Sequence, residues 1–196
     1  LADIQVTVAG KSAEDPDACT YLLESSNANP GEITIIAVGR LTNIAMALNK
    51  DPTFANRVKE IIFMGGAATC EGNVTAWAEA NIIGDPEAAS IVFNSNIPLV
   101  MVGLDVTLQT RMSQPFVNSL MPDLSPLQSL LRSINSVYAS FYKTSQNRDE
   151  FPVHDSSAIA YAHNSDMFGT EHGRLSCILD GEQRGRTVFV PSRSGN

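Results

Sequence analysis

An open α/β fold, with a mostly parallel sheet and helices on both faces, is predicted by three features of the 196-residue sequence. Short runs rich in Ile and Val alternate with segments that carry apolar residues at helical spacing, which is the order of a parallel sheet. These runs do not alternate strictly with polar residues, so both faces of each strand are expected to be buried. A polar, glycine-bearing loop follows one run and precedes a helix start, where open α/β sheets bind ligands.

The first half of the chain contains the runs that predict the sheet. Buried strands are expected at residues 4–8, 33–38, 60–64 and 99–102. Helices are expected between them, at residues 15–25, from Thr42 onward and at residues 85–94. The last helix begins with Asp85-Pro86-Glu87, in which Asp is a favoured N-cap, Pro is favoured at the first position and an acid is favourable in the first turn.

The character of the sequence changes after Asp105. Residues 112–123 contain two prolines and have mixed polarity, whereas residues 125–146 carry apolar side chains at helical spacing and predict a long amphipathic helix. The polar residues 144–152 are interpreted as a loop, and His154-Asp155 as the start of a short helix. Two late strands are predicted at residues 175–179 and 187–190, with a turn at Asp180-Gly181 between them.

Composition limits the classes of function. A hydrophobic content of 43% in 196 residues suits one sizeable core and is short for two domains. The net charge of -8 argues against nucleic acid as a partner. The longest apolar stretch is far shorter than the roughly 20 residues that cross a bilayer, so no membrane partner is expected. The three widely spaced cysteines suit neither a disulfide framework nor a zinc site, and a cytoplasmic location is the simplest expectation.

The loop between Met64 and the next helix carries the most informative polar residues. Asn73, Glu79 and Asn81 together suit a polyhydroxylated ligand, because carboxamides donate and accept hydrogen bonds while a carboxylate accepts strongly from hydroxyl groups. The alternative is that these side chains satisfy the backbone of the loop, which is common turn chemistry. Spacing alone leaves both interpretations open.

Four sequence blocks resemble one known family in their order and spacing. They are GRLTNIA at residues 39–45, GNVT at 72–75 with Glu79 and Asn81, MVGLDVT at 101–107, and VHD at 153–155 followed by AIA at 158–160. The blocks look like those of the inosine-uridine preferring nucleoside hydrolase family over roughly residues 18–190. The resemblance implies one partial nucleoside hydrolase-like domain over residues 1–196 and hydrolysis of the N-glycosidic bond of ribonucleosides to free base and ribose.

The resemblance also implies how the substrate is held. Asn73, Glu79 and Asn81 match positions that grip the ribose, and a carboxylate there also stabilises the positive charge that develops on the sugar. His154 matches a histidine that lies near the departing base, and the titration range of histidine suits a general acid near neutral pH. For His154 taken alone, an ordinary surface or capping role is the simpler interpretation.

A calcium ion, Ca2+, is the cofactor that the resemblance implies. Asp155 matches a carboxylate ligand of the ion, and Thr42 matches a position that supplies a backbone carbonyl oxygen. Calcium takes about six to eight oxygen ligands, so these two residues alone would not form a tight site. Without the family match, each residue is more simply interpreted as a helix cap.

Aromatic and basic residues leave further alternatives open. Tyr138 and Tyr142 share one face of the predicted long helix, where they contact a nucleobase or pack in the core. Trp77 stands where the family commonly has a small residue, and it either stacks on a base or fills space left by the small Ala80. Arg186, like its neighbour Arg184, is interpreted as structural or solvated rather than phosphate-binding, since no glycine-rich loop follows a strand there.

The match is incomplete at both ends of the chain. Family members begin with an aspartate-rich segment that supplies most calcium ligands, and residues 1–10 do not match it. We therefore expect an N-terminally truncated domain that forms a homo-oligomer, as the family does, and that has little activity on its own. The alternatives are a non-catalytic homologue or fragment with a residual ribose-binding or assembly role, and an unrelated α/β binding domain in which the candidate residues do not converge.

Overall fold

A computed structural model describes residues 17–120 and 125–192 of the chain. The strand predicted at residues 4–8 and the first residues of the helix predicted at 15–25 therefore lie outside the described residues. The described residues divide into two compact units: residues 108–120 and 125–153 form one, and residues 17–107 and 154–192 form the other. One domain over residues 1–196 stays a prediction.

The bounds of the secondary structure follow the predicted order closely. The strands are β1 (Ile33–Ala37), β2 (Val58–Met64), β3 (Leu99–Val102), β4 (Arg111–Ser113), β5 (Glu150–Pro152), β6 (Gly173–Cys177) and β7 (Thr187–Pro191). The α-helices are α1 (Ala18–Ala28), α2 (Thr42–Lys50), α3 (Ala80–Ile83), α4 (Pro86–Phe93), α5 (Leu104–Thr107), α6 (Gln114–Leu120), α7 (Pro126–Gln146) and α8 (Asp155–His163). Short 3₁₀ helices span Pro52–Asn56 and Ser165–Met167.

A parallel sheet in the order β1-β2-β3 forms the centre of the larger unit, as predicted. Ile61 in the middle strand pairs with Ile35 on one side and Leu99 on the other. β6 and β7 form a separate antiparallel hairpin, also as predicted. The carboxyl ends of β1, β2 and β3 therefore lie at one edge, and the residues that follow each strand are brought to that edge.

Local capping chemistry fixes where the helices begin. Asp85 is the N-cap of α4, and its carboxylate accepts a hydrogen bond from the backbone N–H of Ala88 at 3.0 Å. Pro86 occupies the first helical position, which confirms the predicted helix start. In the smaller unit, Ser125 and Gln128 form a capping box at the start of the predicted long helix α7.

The middle strand β2 is buried on both faces, which confirms the predicted α/β class. Ile61 and Phe63 point to one face, where they join an apolar core with residues of α2 and α4. Ile62 and Met64 alternate with them along the strand and are also buried. α8 contacts β1 and β2, and its Ala158 is fully buried, so α8 covers the second face.

One interpretation of the smaller unit needs correction. Residues 144–152 are not a loop throughout, because Gln146 ends α7 and β5 pairs with β4 in antiparallel register. Residues 112–123 contain the end of β4 and the whole of α6. The strands β4 and β5 are only three residues long, too short for a periodic pattern, so their pairing could not be predicted from local sequence.

Among the described residues, no helix has both the length and the apolar character needed to cross a membrane.

Ile61→Ala is expected to lower the free energy of unfolding by about 2–5 kcal/mol, because it empties space in a core where Ile61 is fully buried. Ile159→Ala is the matched control, since Ile159 is 54% exposed and its truncation is expected to change stability by no more than about 0.5 kcal/mol. Denaturant unfolding measures both changes. Equal losses in the two variants would contradict the burial of Ile61 between helix and sheet.

Candidate active site

The segments that follow β2 and β3 are joined by backbone hydrogen bonds at the carboxyl edge of the sheet. The N–H of Gly65 donates to the carbonyl of Val102 at 3.3 Å, and the N–H of Leu104 donates to the carbonyl of Gly66 at 2.8 Å. Open α/β sheets bind ligands at this edge. The structure thus brings the predicted polar loop and the start of α5 together.

Glu79 lies at the centre of the loop and is only 2% exposed. It is the N-cap of α3, and its Oε1 accepts a hydrogen bond from the N–H of Asn81 at 2.9 Å. Its Oε2 accepts from the N–H of Gly66 at 2.9 Å and from the N–H of Ile82 at 3.2 Å. The carboxylate therefore ties the turn after β2 to the first turn of α3. Oε1 accepts only one of these bonds and can accept another from a ligand hydroxyl group. Contact between Glu79 and ribose stays a prediction.

Asn73 and Asn81 bind the loop backbone through one end of each carboxamide. The Oδ1 atom of Asn73 accepts from the N–H of Ala80 at 3.0 Å. The Nδ2 atom of Asn81 donates to the carbonyl of Met64 at 3.0 Å. In the described part of the chain, the Nδ2 donor of Asn73 and the Oδ1 acceptor of Asn81 have no side-chain or backbone partner. Each Asn thus satisfies the loop and keeps one polar group for a ligand.

His154 is half-buried and directly precedes α8. Its Nδ1 atom lies 2.8 Å from the hydroxyl oxygen of Thr107, the last residue of α5, which is fully buried. Burial lowers the pKa of His154, and the negative charges of Asp155 and Glu79 oppose this shift only in part. The ring is therefore held in place and predominantly neutral near pH 7. The shared role of Glu79, His154 and Asp155 in one site stays a prediction.

Asp155 is exposed and is the first residue of α8. The interpretation of Asp155 as an N-cap is wrong, because His154 occupies that position without a side-chain capping hydrogen bond. Thr42 is likewise the first residue of α2 and follows its N-cap, Leu41. The hydroxyl of Thr42 donates to Asp85 at 2.6 Å, and this bond, with the capping bond from Ala88, keeps the pKa of Asp85 below its ordinary value. The metal-binding roles of Asp155 and Thr42 stay predictions.

Tyr138 and Tyr142 belong to the smaller unit and do share one face of α7. Their rings meet edge to face with centroids 5.0 Å apart, and the ring of Phe151 lies 5.4 Å from that of Tyr138. Tyr138 therefore packs against aromatic neighbours within this unit, which agrees with the interpretation that it packs in the core. Contact of either tyrosine with a nucleobase stays a prediction.

Asp105 lies in the MVGLDVT block at residues 101–107, and the structure makes it a functional candidate that the sequence analysis did not identify. Its carboxylate accepts hydrogen bonds from the N–H of Ala68 at 2.9 Å and from both the N–H and the hydroxyl of Thr69. Burial raises the pKa of Asp105, but these hydrogen bonds outweigh burial and the pKa lies below its ordinary value. Asp105, in α5, thereby fixes the first part of the loop that follows β2. The sequence signal that could have identified Asp105 is its position shortly after the end of β3, at the same carboxyl edge of the sheet as the polar loop.

The described residues do not fit a calcium ion by themselves. Within residues 17–120 and 125–192, no three His, Cys, Asp or Glu side chains are grouped so that they could hold a metal ion. Calcium requires about six to eight oxygen ligands. A cavity at the opposite end of β3 does not offer a calcium site either, because no carboxylate, histidine or cysteine among the described residues lines it.

Comparison with known proteins gives a consistent set of relatives. The sequence profile described as "Inosine-uridine preferring nucleoside hydrolase" matches residues 2–195. Probable uridine nucleosidase 2 of Arabidopsis thaliana is 36% identical over 169 residues, which are 86% of this chain and 52% of that protein. The pyrimidine-specific ribonucleoside hydrolase RihB of Escherichia coli O1:K1 / APEC is 36% identical over 179 residues, covering 91% of this chain and 57% of that protein.

Solved structures agree with the sequence relatives. A plant nucleoside hydrolase, the PpNRh1 enzyme, superposes with a TM-score of 0.91 and 35% identity over 96% of this chain and 59% of that one. A purine-preferring ribonucleoside hydrolase from Gardnerella vaginalis superposes with a TM-score of 0.91 and 33% identity over 96% of this chain and 60% of that one. The chain thus spans little more than half the length of these relatives.

Asp105→Asn is expected to destabilise the chain by about 1–3 kcal/mol at neutral pH, because one carbonyl oxygen replaces two carboxylate oxygens and leaves a loop N–H without its acceptor. The pKa of Asp105 is lowered in the folded state, so its stabilisation is complete above the ordinary value of 3.8 and is lost as the pH falls through the lower folded value. Urea unfolding of both proteins from pH 7 to pH 3 measures this. A stability difference that does not shrink towards acid would contradict the assignment.

Proposed function

The chain belongs to the inosine-uridine preferring nucleoside hydrolase family, and from this we propose that it hydrolyses the N-glycosidic bond of ribonucleosides to free base and ribose as part of a protein of its relatives' length. The observation that supports the proposal is a chain of contacts at the carboxyl edge of the sheet: Gly66 donates to the Glu79 carboxylate and accepts from Leu104 of α5, and Thr107 at the end of α5 contacts His154. The relatives are named for uridine, for pyrimidine and for purine substrates, so the proposal is limited to ribonucleosides as a class.

The ribose is held by the polar groups that the loop leaves unused. The Nδ2 donor of Asn73 and the Oδ1 acceptor of Asn81 complement sugar hydroxyl groups, which both accept and donate. The carboxylate of Glu79 accepts from a hydroxyl group through its remaining Oε1 position and stabilises the positive charge that develops on the sugar. Because the backbone already fixes all three side chains, little reorganisation is needed when the sugar binds.

His154 assists the departing base. The base becomes a good leaving group only when it receives a proton or a strong hydrogen bond. The ring is neutral near pH 7, and in the tautomer that carries its proton on Nε2, Nδ1 accepts from the hydroxyl of Thr107. Nε2–H is then free to donate to the base. Thr107 is a positioning residue in this account, because it sets the tautomer and the direction of the ring.

Calcium is proposed as the cofactor of the whole protein. Asp155 and the backbone carbonyl of Thr42 would contribute two of about six to eight oxygen ligands, and further carboxylate ligands would come from outside the described residues. A bound calcium ion would hold the sugar hydroxyl groups and lower the pKa of an attacking water molecule. The steps assigned to His154, Asn73 and Asn81 do not depend on the ion.

A cytoplasmic homo-oligomer is proposed on two grounds. Cys19, Cys70 and Cys177 are free thiols, which suits a reducing compartment. Burial raises the pKa of Cys70 and of Cys177 to about 11, so both thiols stay protonated and unreactive. Self-association follows from the family resemblance, and analytical ultracentrifugation measures it directly.

A non-catalytic homologue with a residual ribose-binding or assembly role is the second candidate function. Two observations favour it: the described residues contain no cluster of three or more His, Cys, Asp or Glu side chains that could hold a metal ion, and most of the hydrogen-bonding capacity of Glu79 is used by the backbone. Release of free base from inosine and uridine, with calcium and with a chelator, separates the two candidates. Ribose binding without turnover in the protein of full family length would favour the second.

In the protein of full family length, Asp155→Ala is expected to lower calcium affinity and nucleoside turnover together. His154→Ala is expected to lower turnover by about 10²- to 10⁴-fold while calcium affinity stays unchanged, because His154 contacts the leaving group and not the ion. Calorimetric titration with calcium, together with turnover of inosine and uridine, measures both effects. Equal loss of calcium binding in the two variants would show that the roles are wrongly divided.

A further inference from the structure

Three consecutive residues of the β6–β7 hairpin contact three segments around Glu79: α3, the turn after β2 and the residues directly before Glu79. The backbone of Gly185 lies against α3, so closely that a Cβ atom at this position would approach the Cβ atom of Ile83 to 2.9 Å. Thr187 is buried beneath Gly66, where a Cβ atom would lie 2.9 Å from the Thr187 hydroxyl oxygen. Both glycines also have positive φ values, 82° and 85°, a backbone conformation that favours glycine.

Arg186, between these two residues, contacts the third segment twice. Its backbone forms an isolated antiparallel bridge with Ala78, the fully buried residue before Glu79. Its guanidinium carbon lies 4.8 Å from the centre of the Trp77 ring, within the range of a cation–π interaction. The guanidinium group also donates to the side chain of Gln183 at 2.8 Å, which holds it over the ring.

The loop segment in contact with Arg186 is closed on itself by hydrogen bonds and close packing. The N–H of Gly72 donates to the carbonyl of Ala76 at 3.2 Å, and the N–H of Ala78 donates to the Thr75 hydroxyl at 3.0 Å. A Cβ atom at Gly72 would collide with the backbone of Ala78, so the two ends of the segment are packed together. A contact that fixes Trp77 and Ala78 therefore fixes the adjoining residues Asn73 and Glu79.

We propose that Arg186 is a positioning residue of the candidate active site, which holds the loop at Trp77 and Ala78 and thereby sets the position of the Glu79 carboxylate. Trp77 is accordingly a partner of Arg186, rather than a base-stacking residue. Arg186 does not touch the proposed substrate. The inference rests on the proposed function only for its consequence on turnover, because the positioning itself is observable without catalysis.

The sequence offers both a reporter and a matched control. Trp77 is the single tryptophan of the 196 residues, so the fluorescence of the chain reports on this loop alone. Arg184 belongs to the same hairpin but contacts Glu87 at 2.7 Å and the carbonyl of Leu179, away from the loop. Arg184→Ala removes the same type of side chain without touching Trp77.

Arg186→Ala is expected to make Trp77 more accessible to acrylamide and to speed amide hydrogen exchange at Gly66 and Ile82 by about two- to fivefold, as expected for loss of one cation–π contact. Arg186→Lys, which keeps a cation over the ring, should restore most of the protection, and Arg184→Ala should leave all three readouts at wild-type values. Exchange at Ile61 in β2 should not change in any variant.

Two results would overturn the proposal. Quenching and exchange in Arg186→Ala that equal those in Arg184→Ala would show that Arg186 does not hold the loop. Faster exchange at Ile61 to the same degree as at Gly66 would show that Arg186 stabilises the fold as a whole. If the alanine variant does not fold, Arg186→Gln and Arg186→Lys are compared in the same way.

Turnover of uridine, measured in parallel in the protein of full family length, tests the proposed function separately. Absence of turnover in the wild type would contradict that function, while the quenching and exchange measurements would still decide whether Arg186 positions the loop.

Discussion

The buried carboxylate of Glu79 is the interaction on which the rest of the site depends. A buried charge is tolerated only when hydrogen bonds replace water, and Glu79 receives them from the N–H groups of Gly66, Asn81 and Ile82. These donors belong to the turn after β2 and to the first turn of α3, so one side chain fixes two segments. Removing it would leave three N–H groups without acceptors, each costing about 1–3 kcal/mol where it is buried.

The short helix α5 links this loop to the other half of the site. Asp105 holds the backbone of the loop at Ala68 and Thr69, and Thr107, two residues later, holds the ring of His154. A single turn of helix at the end of β3 therefore sets both the loop and the histidine. Burial lowers the pKa of the His154 ring held in this way, and the charges of Asp155 and Glu79 oppose the shift in part.

Features determined by local chemistry could be predicted from the sequence, and features determined by distant partners could not. β3 and the helix start at Asp85 follow from a short apolar run and from capping chemistry, and both were predicted. The pairing of β4 with β5 could not be, since it joins three-residue strands across the whole of α6 and α7. For Glu79, the sequence is compatible both with ligand binding and with hydrogen bonds to the loop backbone. The bond from the N–H of Gly66, 13 residues away, is visible only in the structure, and it shows that the carboxylate binds backbone outside its own turn.

Amide hydrogen exchange at Gly66, Asn81 and Ile82, compared between the wild type and Glu79→Gln, tests the organising role of Glu79 most directly. Glu71→Gln is the matched control, because Glu71 lies exposed in the same loop. If the carboxylate organises the loop, Glu79→Gln speeds exchange at these residues by about tenfold or more, as expected when a buried N–H loses its acceptor, and Glu71→Gln does not. Unchanged protection at Gly66 and Ile82 in Glu79→Gln would contradict the account.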